Sequence, residues 1–251
     1  MCRFLFLAAA TGAILLINAS GAQAQTSGWD GCVRISVNGA EQVTERTIAQ
    51  SFSVPKNLEN APIEVTLEQK RARLFDVGGT VRLVGGLGVG IAVSALSHDA
   101  SGSVSGQIPH PFFFNQPRPI SGTIAKLSHS ETAVHIDGAY IVPTMGKLHL
   151  TLFGGVSIFS VTQGLATDVT FTDAYPFDTA TFASATTTSV SKTATGFNAG
   201  ADITWKLSRN VGVGGLVRFA QASVTLAPSA GNSTNTDVGG VQVGGGVRFA
   251  F

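Results

Sequence analysis

Residues 75–94 have the sequence FDVGGTVRLVGGLGVGIAVS, which predicts two β-strands joined by a tight turn. Up to Leu83, apolar residues or glycine occupy every second position, and charged residues fall only on the positions between them. The alternation resumes after Gly85-Gly86, a favoured two-residue hairpin turn. A period of two is typical of a strand with one apolar and one polar face. The stretch therefore predicts a β-hairpin formed by 74–84 and 87–99.

The same alternation recurs along the chain and predicts eight strands in all, at 30–40, 74–84, 87–99, 131–142, 147–162, 195–207, 210–225 and 237–251. Three connections are tight turns, at 85–86, 143–146 and 208–209. The others are long, at 41–73, 100–130, 163–194 and 226–236. Short turns at one end and long loops at the other are typical of outer-membrane β-barrels. The fold class predicted is an all-β, eight-stranded antiparallel transmembrane β-barrel.

The two faces of these strands differ in charge. No charged residue falls on an apolar face, as expected where a charge facing lipid costs about 2–4 kcal/mol near the midplane. The opposite face is expected to point into the barrel lumen, which in an eight-stranded barrel is just wide enough for side chains to fill. These polar residues form either a paired plug or a narrow ion path; they are Arg34, Asp76, Arg82, His135, Asp137, His149, Asp202, Lys206, Arg218 and Arg248.

The first residues have the pattern of a secretory signal peptide. Arg3 precedes a mostly apolar stretch over 4–17, and Ala22-Gln23-Ala24 matches a cleavage site. The apolar stretch is shorter than the roughly 18 residues that a spanning helix needs. We therefore expect 1–24 to be a signal peptide and 25–251 to be one barrel domain. Removal of 1–24 leaves Cys32 without a cysteine to pair with.

Aromatic residues lie at the strand ends that the short turns connect. A ring of aromatic side chains is usual where a membrane meets water. The predicted topology places four of them together as a girdle on the periplasmic side: Trp29, Tyr140, Trp205 and Phe251.

Three stretches resemble the small eight-stranded outer-membrane β-barrels of the outer-membrane protein A transmembrane type. They are FDVGGTVRLVGGLGVGIAVS (75–94), FNAGADITWKLSRNVGVGGLVRF (197–219) and GVQVGGGVRFAF (240–251). Val247, Phe249 and Phe251 match the C-terminal signature that such barrels use for assembly. The resemblance implies a Gram-negative cell envelope, location in the outer membrane among its lipids and lipopolysaccharide, and the barrel-assembly machinery as a partner.

Function is less well specified than fold, because one fold carries many activities. A net charge of +1 and only 12% charged residues argue against nucleic-acid binding. The favoured role is structural or surface interaction through long extracellular loops. The alternatives are a narrow porin-like pore and, less favoured, a lipid A-modifying enzyme.

Residues that could carry enzyme chemistry are few. Ser97 and His98 are neighbours on one strand and point to opposite faces, so they cannot form a dyad. His110 and His129 fall in a predicted loop, where we expect solvated side chains. No catalytic residue, cofactor or metal site is predicted. The segment PHPFFFNQPRP (109–119) could instead bind a surface partner or pack over the barrel mouth.

Overall fold

The computed structural model describes residues 31–143, 146–229 and 232–251. The predicted signal peptide and Trp29 lie outside the described residues. Within these ranges, no helix is long and apolar enough to cross a membrane. The strands are β1 (Val33–Gln42), β2 (Arg46–Lys56), β3 (Glu59–Gln69), β4 (Ala72–Val84), β5 (Leu87–Ile108), β6 (Arg118–Val142), β7 (Leu148–Asp173), β8 (Ala180–Lys206), β9 (Val211–Ser229) and β10 (Asn232–Ala250).

Eight of these strands form a closed antiparallel ring in the order β1-β4-β5-β6-β7-β8-β9-β10. The pairing of β10 with β1, from Arg34↔Ala250 to Gln42↔Gln242, closes it. The β2–β3 hairpin lies outside the ring and pairs only with the far part of β5, from Ile63↔Gly106 to Glu68↔Ser101. The predicted eight-stranded antiparallel transmembrane barrel is thus confirmed, with one additional hairpin.

An apolar belt surrounds the ring next to the short turns, the end we call the turn end. Outward side chains such as Ile91, Ile136 and Phe197 are more than half exposed, although they are apolar. Their exposure is explained if lipid is the solvent. On each strand of the ring the belt gives way to a polar or charged outward residue, at Glu41, Arg73, Ser97, Thr132, Ser160, Thr195, Gln221 and Asp237.

Beyond the belt the polarity of the two faces is reversed, at what we call the hairpin end. There the outward residues are polar and the inward residues form one buried apolar cluster, the hairpin core. It is built from both the extra hairpin and the extended ring strands, and it includes Phe52, Ile63, Leu67, Val104, Ile124, Phe159, Leu165, Val169 and Leu226.

The long connections predicted from the sequence are mostly strand, so those boundaries were wrong. The segment 41–73 contains β2 and β3, and 100–130, 163–194 and 226–236 are largely extensions of ring strands. Alternation persists there with the opposite sense, because water replaces lipid outside and the apolar face turns inward. Pro55 and Pro62, together with the many charges of this segment, obscure the pattern in β2 and β3.

In the full chain Cys32 is disulfide-bonded. The only other cysteine of the sequence, Cys2, lies outside the described residues. The prediction of a lone cysteine had assumed that 1–24 are removed.

Candidate functional site

The centre of the lumen holds a buried ion pair between strands on opposite walls of the ring. Arg218 Nη1 donates to Asp76 Oδ2 at 2.6 Å, and the two side chains are 3% and 1% exposed. Asn38 Nδ2 donates to the second carboxylate oxygen, Oδ1, at 2.9 Å. Both carboxylate oxygens are therefore satisfied, as a buried charge requires.

A second ion pair continues the network towards the turn end. Arg248 Nε donates to Asp202 Oδ2 at 2.9 Å, and its Nη1 donates to Asn38 Oδ1 at 2.6 Å. Asn38 therefore joins the two pairs, because its amide donates to Asp76 and its carbonyl accepts from Arg248. Four charged side chains and one amide thus form one connected polar network in the lumen.

A third set of polar contacts lies on the β5–β8 side of the lumen. His135 is fully buried between the hydroxyls of Ser94 and Ser157, with ring-to-oxygen distances of 3.1 and 2.7 Å. Asn198 Nδ2 donates to Ser157 Oγ and to Asp137 Oδ1, each at 2.9 Å. These contacts place His135 and Asp137 in one hydrogen-bonded chain.

The remaining predicted lumen residues are spread more widely. Arg34 Nη1 donates to Thr151 Oγ1 at 3.4 Å, and His149 is buried near the turn end. Arg82 and Lys206 are half-buried beside the turns. Between the ion pairs a cavity of about 70 Å³ has room for a few water molecules and is lined by Arg34, Asp76, Asp137, Asp202, Arg218 and Arg248.

A buried polar cluster lies where the lumen meets the hairpin core, and the sequence analysis missed it. His129 Nε2 lies 2.9 Å from Glu131 Oε1, and its Nδ1 lies 2.6 Å from Gln163 Oε1. Gln69 Nε2 donates to the same Gln163 oxygen, and the Gly239 amide donates to Glu131 Oε2. The cluster therefore ties β3, β6, β7 and β10 together.

The expectation of solvated histidines was wrong. His129 is 2% exposed because it lies on β6, which extends through the supposed loop. His110 does lie in the connection between β5 and β6, but it is only 5% exposed, and its ring accepts the amides of Phe112 and Phe113. The sequence did contain a signal that β5 continues as a strand here. In 100–108, apolar or glycine residues such as Ala100, Val104 and Ile108 alternate with polar ones, and the apolar side chains point inward.

The β7–β8 hairpin contributes buried residues to the hairpin core. Leu165 and Ala166 on β7 are fully buried. Gln50 of β2 both donates to the carbonyl and accepts from the amide of Ala166, at 2.6 and 3.2 Å. Lys56 Nζ pairs with Asp168 at 3.1 Å. These contacts join β7 to the extra hairpin and complete the hairpin core.

The tips of the hairpins carry an exposed aromatic cluster, the aromatic tip. It consists of Phe112, Phe113, Phe114, Tyr175 and Phe177, of which all but Phe177 are more than half exposed. Phe177 contacts the Phe112 and Tyr175 rings edge-on, with centroids 5.5 and 6.2 Å away.

A buried arginine fixes the aromatic tip in place. Arg118 Nη1 donates to Asp173 Oδ2 at 2.7 Å and to the Phe177 carbonyl at 3.0 Å. Arg118 Nη2 donates to the Pro109 carbonyl at 3.1 Å. The His110 ring accepts the amides of Phe112 and Phe113 on Nδ1. The phenylalanines are therefore exposed on a rigid support.

Ser97 and His98 do not form a catalytic pair in the structure. Ser97 is exposed on the outer face, whereas His98 faces inward, 5.0 Å from the His129 ring. Within the same ranges, no cluster of three His, Cys, Asp or Glu has the arrangement to hold a metal ion. Of the predicted girdle, Tyr140, Trp205 and Phe251 face outward near the short turns and are about half exposed or more.

No protein-family model matches the chain. A comparison with curated proteins also finds no match. Among solved structures, the chain is similar to the outer membrane protein OprG from Pseudomonas aeruginosa, with a TM-score of 0.51 and 10% identity over 88% of this chain and 96% of that one. It also matches Ail, the attachment invasion locus protein of Yersinia pestis, with a TM-score of 0.39 and 11% identity over 87% and 99% of the two chains.

At 10% identity the match to OprG is evidence for fold. It agrees with the closed ring, the apolar belt and the polar lumen described above. Nothing in it is specific to the outer-membrane protein A type. The chain thus has the fold of the small eight-stranded outer-membrane β-barrel proteins.

Proposed function

We propose that the protein is an integral outer-membrane barrel that does not conduct and that presents its hairpin end outside the cell as an interaction surface. The observation that carries this proposal is the hairpin core. It fills the mouth of the barrel with apolar side chains such as Phe159 and Leu165, each 1% exposed or less. An ion entering there would lose its hydration among groups that offer no replacement.

The lumen supports the same proposal independently. The pairs Asp76–Arg218 and Arg248–Asp202 neutralise each other, and Asn38 joins them. Paired charges that fill the lumen are the plug expected of an eight-stranded barrel, in place of an ion path.

The hairpin end has the properties of a display surface. Its own apolar core holds it rigid, and the aromatic tip lies on top of it. Exposed apolar clusters on a rigid support commonly mark interaction sites. In the proposed orientation, Val247, Phe249 and Phe251 at the turn end serve as the signal for the assembly machinery.

Single-channel recording in planar bilayers tests the absence of conduction. Protein whose folding has been verified by electrophoresis is added to the bilayer, and no steady conductance above the lipid background is expected. Sustained channel openings from folded wild-type protein would overturn the proposal in favour of the narrow pore.

Labelling of intact cells tests the orientation. Phe113→Cys at the aromatic tip should react with a membrane-impermeant maleimide, whereas Lys147→Cys at a short turn should react only after the membrane is broken. Labelling of the turn variant alone in intact cells would mean that the hairpin end faces inward.

A further inference from the structure

One side of β8 has no partner strand beyond the belt. β8 pairs with β7 from Leu148↔Trp205 to Asp173↔Ala180. Its pairing with β9 covers only Phe197 to Lys206. Among the described residues, no strand is hydrogen-bonded to the other side of β8 before Phe197. We call residues 185–195 of this strand the open edge.

The direction of the backbone groups on the open edge follows from the ladder. The Lys206 amide donates to the Lys147 carbonyl at 2.8 Å, so even-numbered residues of β8 direct their backbone groups towards β7. The hydroxyls of Thr167 and Thr170 on β7 donate to the carbonyls of Thr186 and Ser184, which agrees. Between 184 and 206, β8 contains no inserted residue that would change this parity. The backbone amides and carbonyls that point away from β7, towards the open side of the sheet, belong to the odd-numbered residues: Ala185, Thr187, Ser189, Ser191, Thr193 and Thr195.

The open edge has few of the features that normally protect exposed strands. Natural edges carry charges, prolines or bulges that prevent pairing with another chain. The residues 185–195 contain no proline, and Lys192 is their only charged residue. Thr187, Ser189, Ser191 and Thr193 are exposed.

The outer edge of the extra hairpin differs in this respect. Its strand β2 contains Pro55 and is bounded by Arg46 and Lys56. Pro55 therefore removes a backbone donor from that strand, whereas the open edge of β8 contains no proline and has Lys192 as its single protecting charge.

We propose that the open edge binds an extended polypeptide segment of another protein by strand addition. This inference rests on the proposed function, since it names a partner for the displayed hairpin end. The chemistry of the site selects the partner. The open edge presents a row of regularly spaced backbone amides and carbonyls, and another extended backbone can form hydrogen bonds with all of them. The small hydroxyl side chains favour a segment with little charge and with β-branched residues.

A second copy of the chain fits the open edge less well. Two copies in one membrane have the same orientation, and β8 runs towards the turn end in both. A symmetric pair of their edges would therefore be parallel, which is slightly less stable per residue than antiparallel pairing. A free segment of another protein can approach in the antiparallel direction.

Binding of a fluorescent peptide of alternating Thr and Val to the full refolded chain in detergent tests the inference. The same peptide with N-methyl groups on alternate amides is the first control, because it keeps the side chains and loses the strand-forming donors. Wild-type protein should bind the unmodified peptide at least about tenfold more tightly than the methylated one, since several backbone hydrogen bonds are lost.

Two protein variants separate backbone from side-chain effects. The double variant Ser189→Pro with Ser191→Pro removes two donors of the open edge and leaves the ladder with β7 intact. It should bind the peptide about tenfold more weakly. Ser189→Ala with Ser191→Ala keeps the backbone and should bind like wild type. Unchanged electrophoretic mobility of all variants shows that the barrel is folded.

Each remaining outcome overturns the inference. These outcomes are no binding to wild type, equal binding of both peptides, equal binding by the proline variant and, when the refolded protein is treated with a crosslinker, dimers through β8 that exclude the peptide. The result is separable from the channel recordings. A barrel that conducts ions and also binds the peptide would refute the proposed function and would still support the inference that the open edge binds an extended segment.

Discussion

Asp76 and Arg218 illustrate how single residues fix the interior. Each is buried, and each has its charge compensated within 2.6 Å. Such a pair adds little net stability, but removal of one partner leaves an uncompensated buried charge. The pair therefore specifies the arrangement of the lumen more than it stabilises the barrel.

We predict that Asp76→Ala lowers the free energy of unfolding by about 3–5 kcal/mol, because Arg218 loses its carboxylate. Addition of Arg218→Leu should restore part of the loss. Urea titrations of protein refolded into lipid bilayers measure both. A double variant no more stable than the single one would contradict this explanation.

We expect His98 to make the hairpin end sensitive to acid. Burial, assisted by the neighbouring His129, lowers the pKa of His98 below its usual value of 6.5, while Glu131 and Asp99 act in the opposite direction. Neither ring nitrogen has a hydrogen-bond partner among the described residues. A proton taken up by this ring is therefore less stabilised in the folded chain than in the unfolded chain.

We expect the wild-type protein to lose stability as the pH falls below 6.5, where the unfolded chain binds a proton that the folded chain resists. Above that value both states have a neutral ring, and His98 makes no contribution. His98→Gln should reduce the loss between about pH 7 and about pH 5. Equal pH dependence of the variant and wild type in unfolding titrations would refute this role.

At the level of elements, one strand passes through two solvents. The outward face of β5 is apolar at Val89, Ile91 and Val93 and then polar from Ser97 to Gln107. The inward face changes in the opposite sense, from Ser94 to Val104. The alternation of inward and outward side chains continues through the register shift between Ala100 and Gly102, so the surrounding medium decides which side is apolar.

We predict that Ile91→Arg costs about 2–4 kcal/mol because the charge enters the belt. Ser101→Arg is the matched control on the same face of the same strand. It lies beyond the belt opposite Glu68 of β3 and should change stability by about 0.5 kcal/mol or less. Refolding titrations into bilayers give both values. Equal costs would place the boundary of the belt elsewhere.

Phe251 follows directly after β10, the strand whose pairing with β1 closes the ring. The amides of Phe251 and Val33 donate to each other's carbonyls at 2.9 and 3.1 Å, while the Phe251 ring remains 61% exposed. We predict that Phe251→Asp lowers the amount of protein assembled in cells far more than the stability of protein refolded in vitro, because the backbone bonds remain.

Phe251→Leu is the control and should assemble almost normally. Quantification of membrane fractions, together with urea titrations, separates the two effects. Normal cellular levels of the Asp variant would remove the assembly role from Phe251.

For the whole molecule, a closed ring predicts unusual resistance to detergent. No strand of the ring has a free edge within the belt, so unfolding cannot begin by fraying there. Unheated protein should migrate differently from boiled protein on SDS gels. Identical mobility of protein known to be folded would argue against closure in solution.

The sequence predicts the ring well because lipid outside and charges inside leave a strong alternating pattern. Asp76 and Arg82 both fall on the same face of one strand, and Asp202 and Lys206 both fall on the same face of another, so the charges identify the inward face of each strand. Partners within the lumen are less predictable, since Asn38 joins two ion pairs through contacts far apart in sequence. His129 was misplaced because an inverted strand looks like a polar loop when only lipid-facing alternation is sought.

The reversal of polarity at the hairpin end also affects how the chain reaches its place. If the hairpin end faces outwards, its polar outer surface must cross the hydrocarbon layer during insertion. Hydroxyls such as those of Ser101, Ser103 and Ser105 are cheaper to move through hydrocarbon than charges. The Ser and Thr side chains of β5 and β8 are therefore wettable on arrival and still passable on the way, whereas the charges of the extra hairpin, such as Glu64 and Glu68, are the costlier part of the crossing.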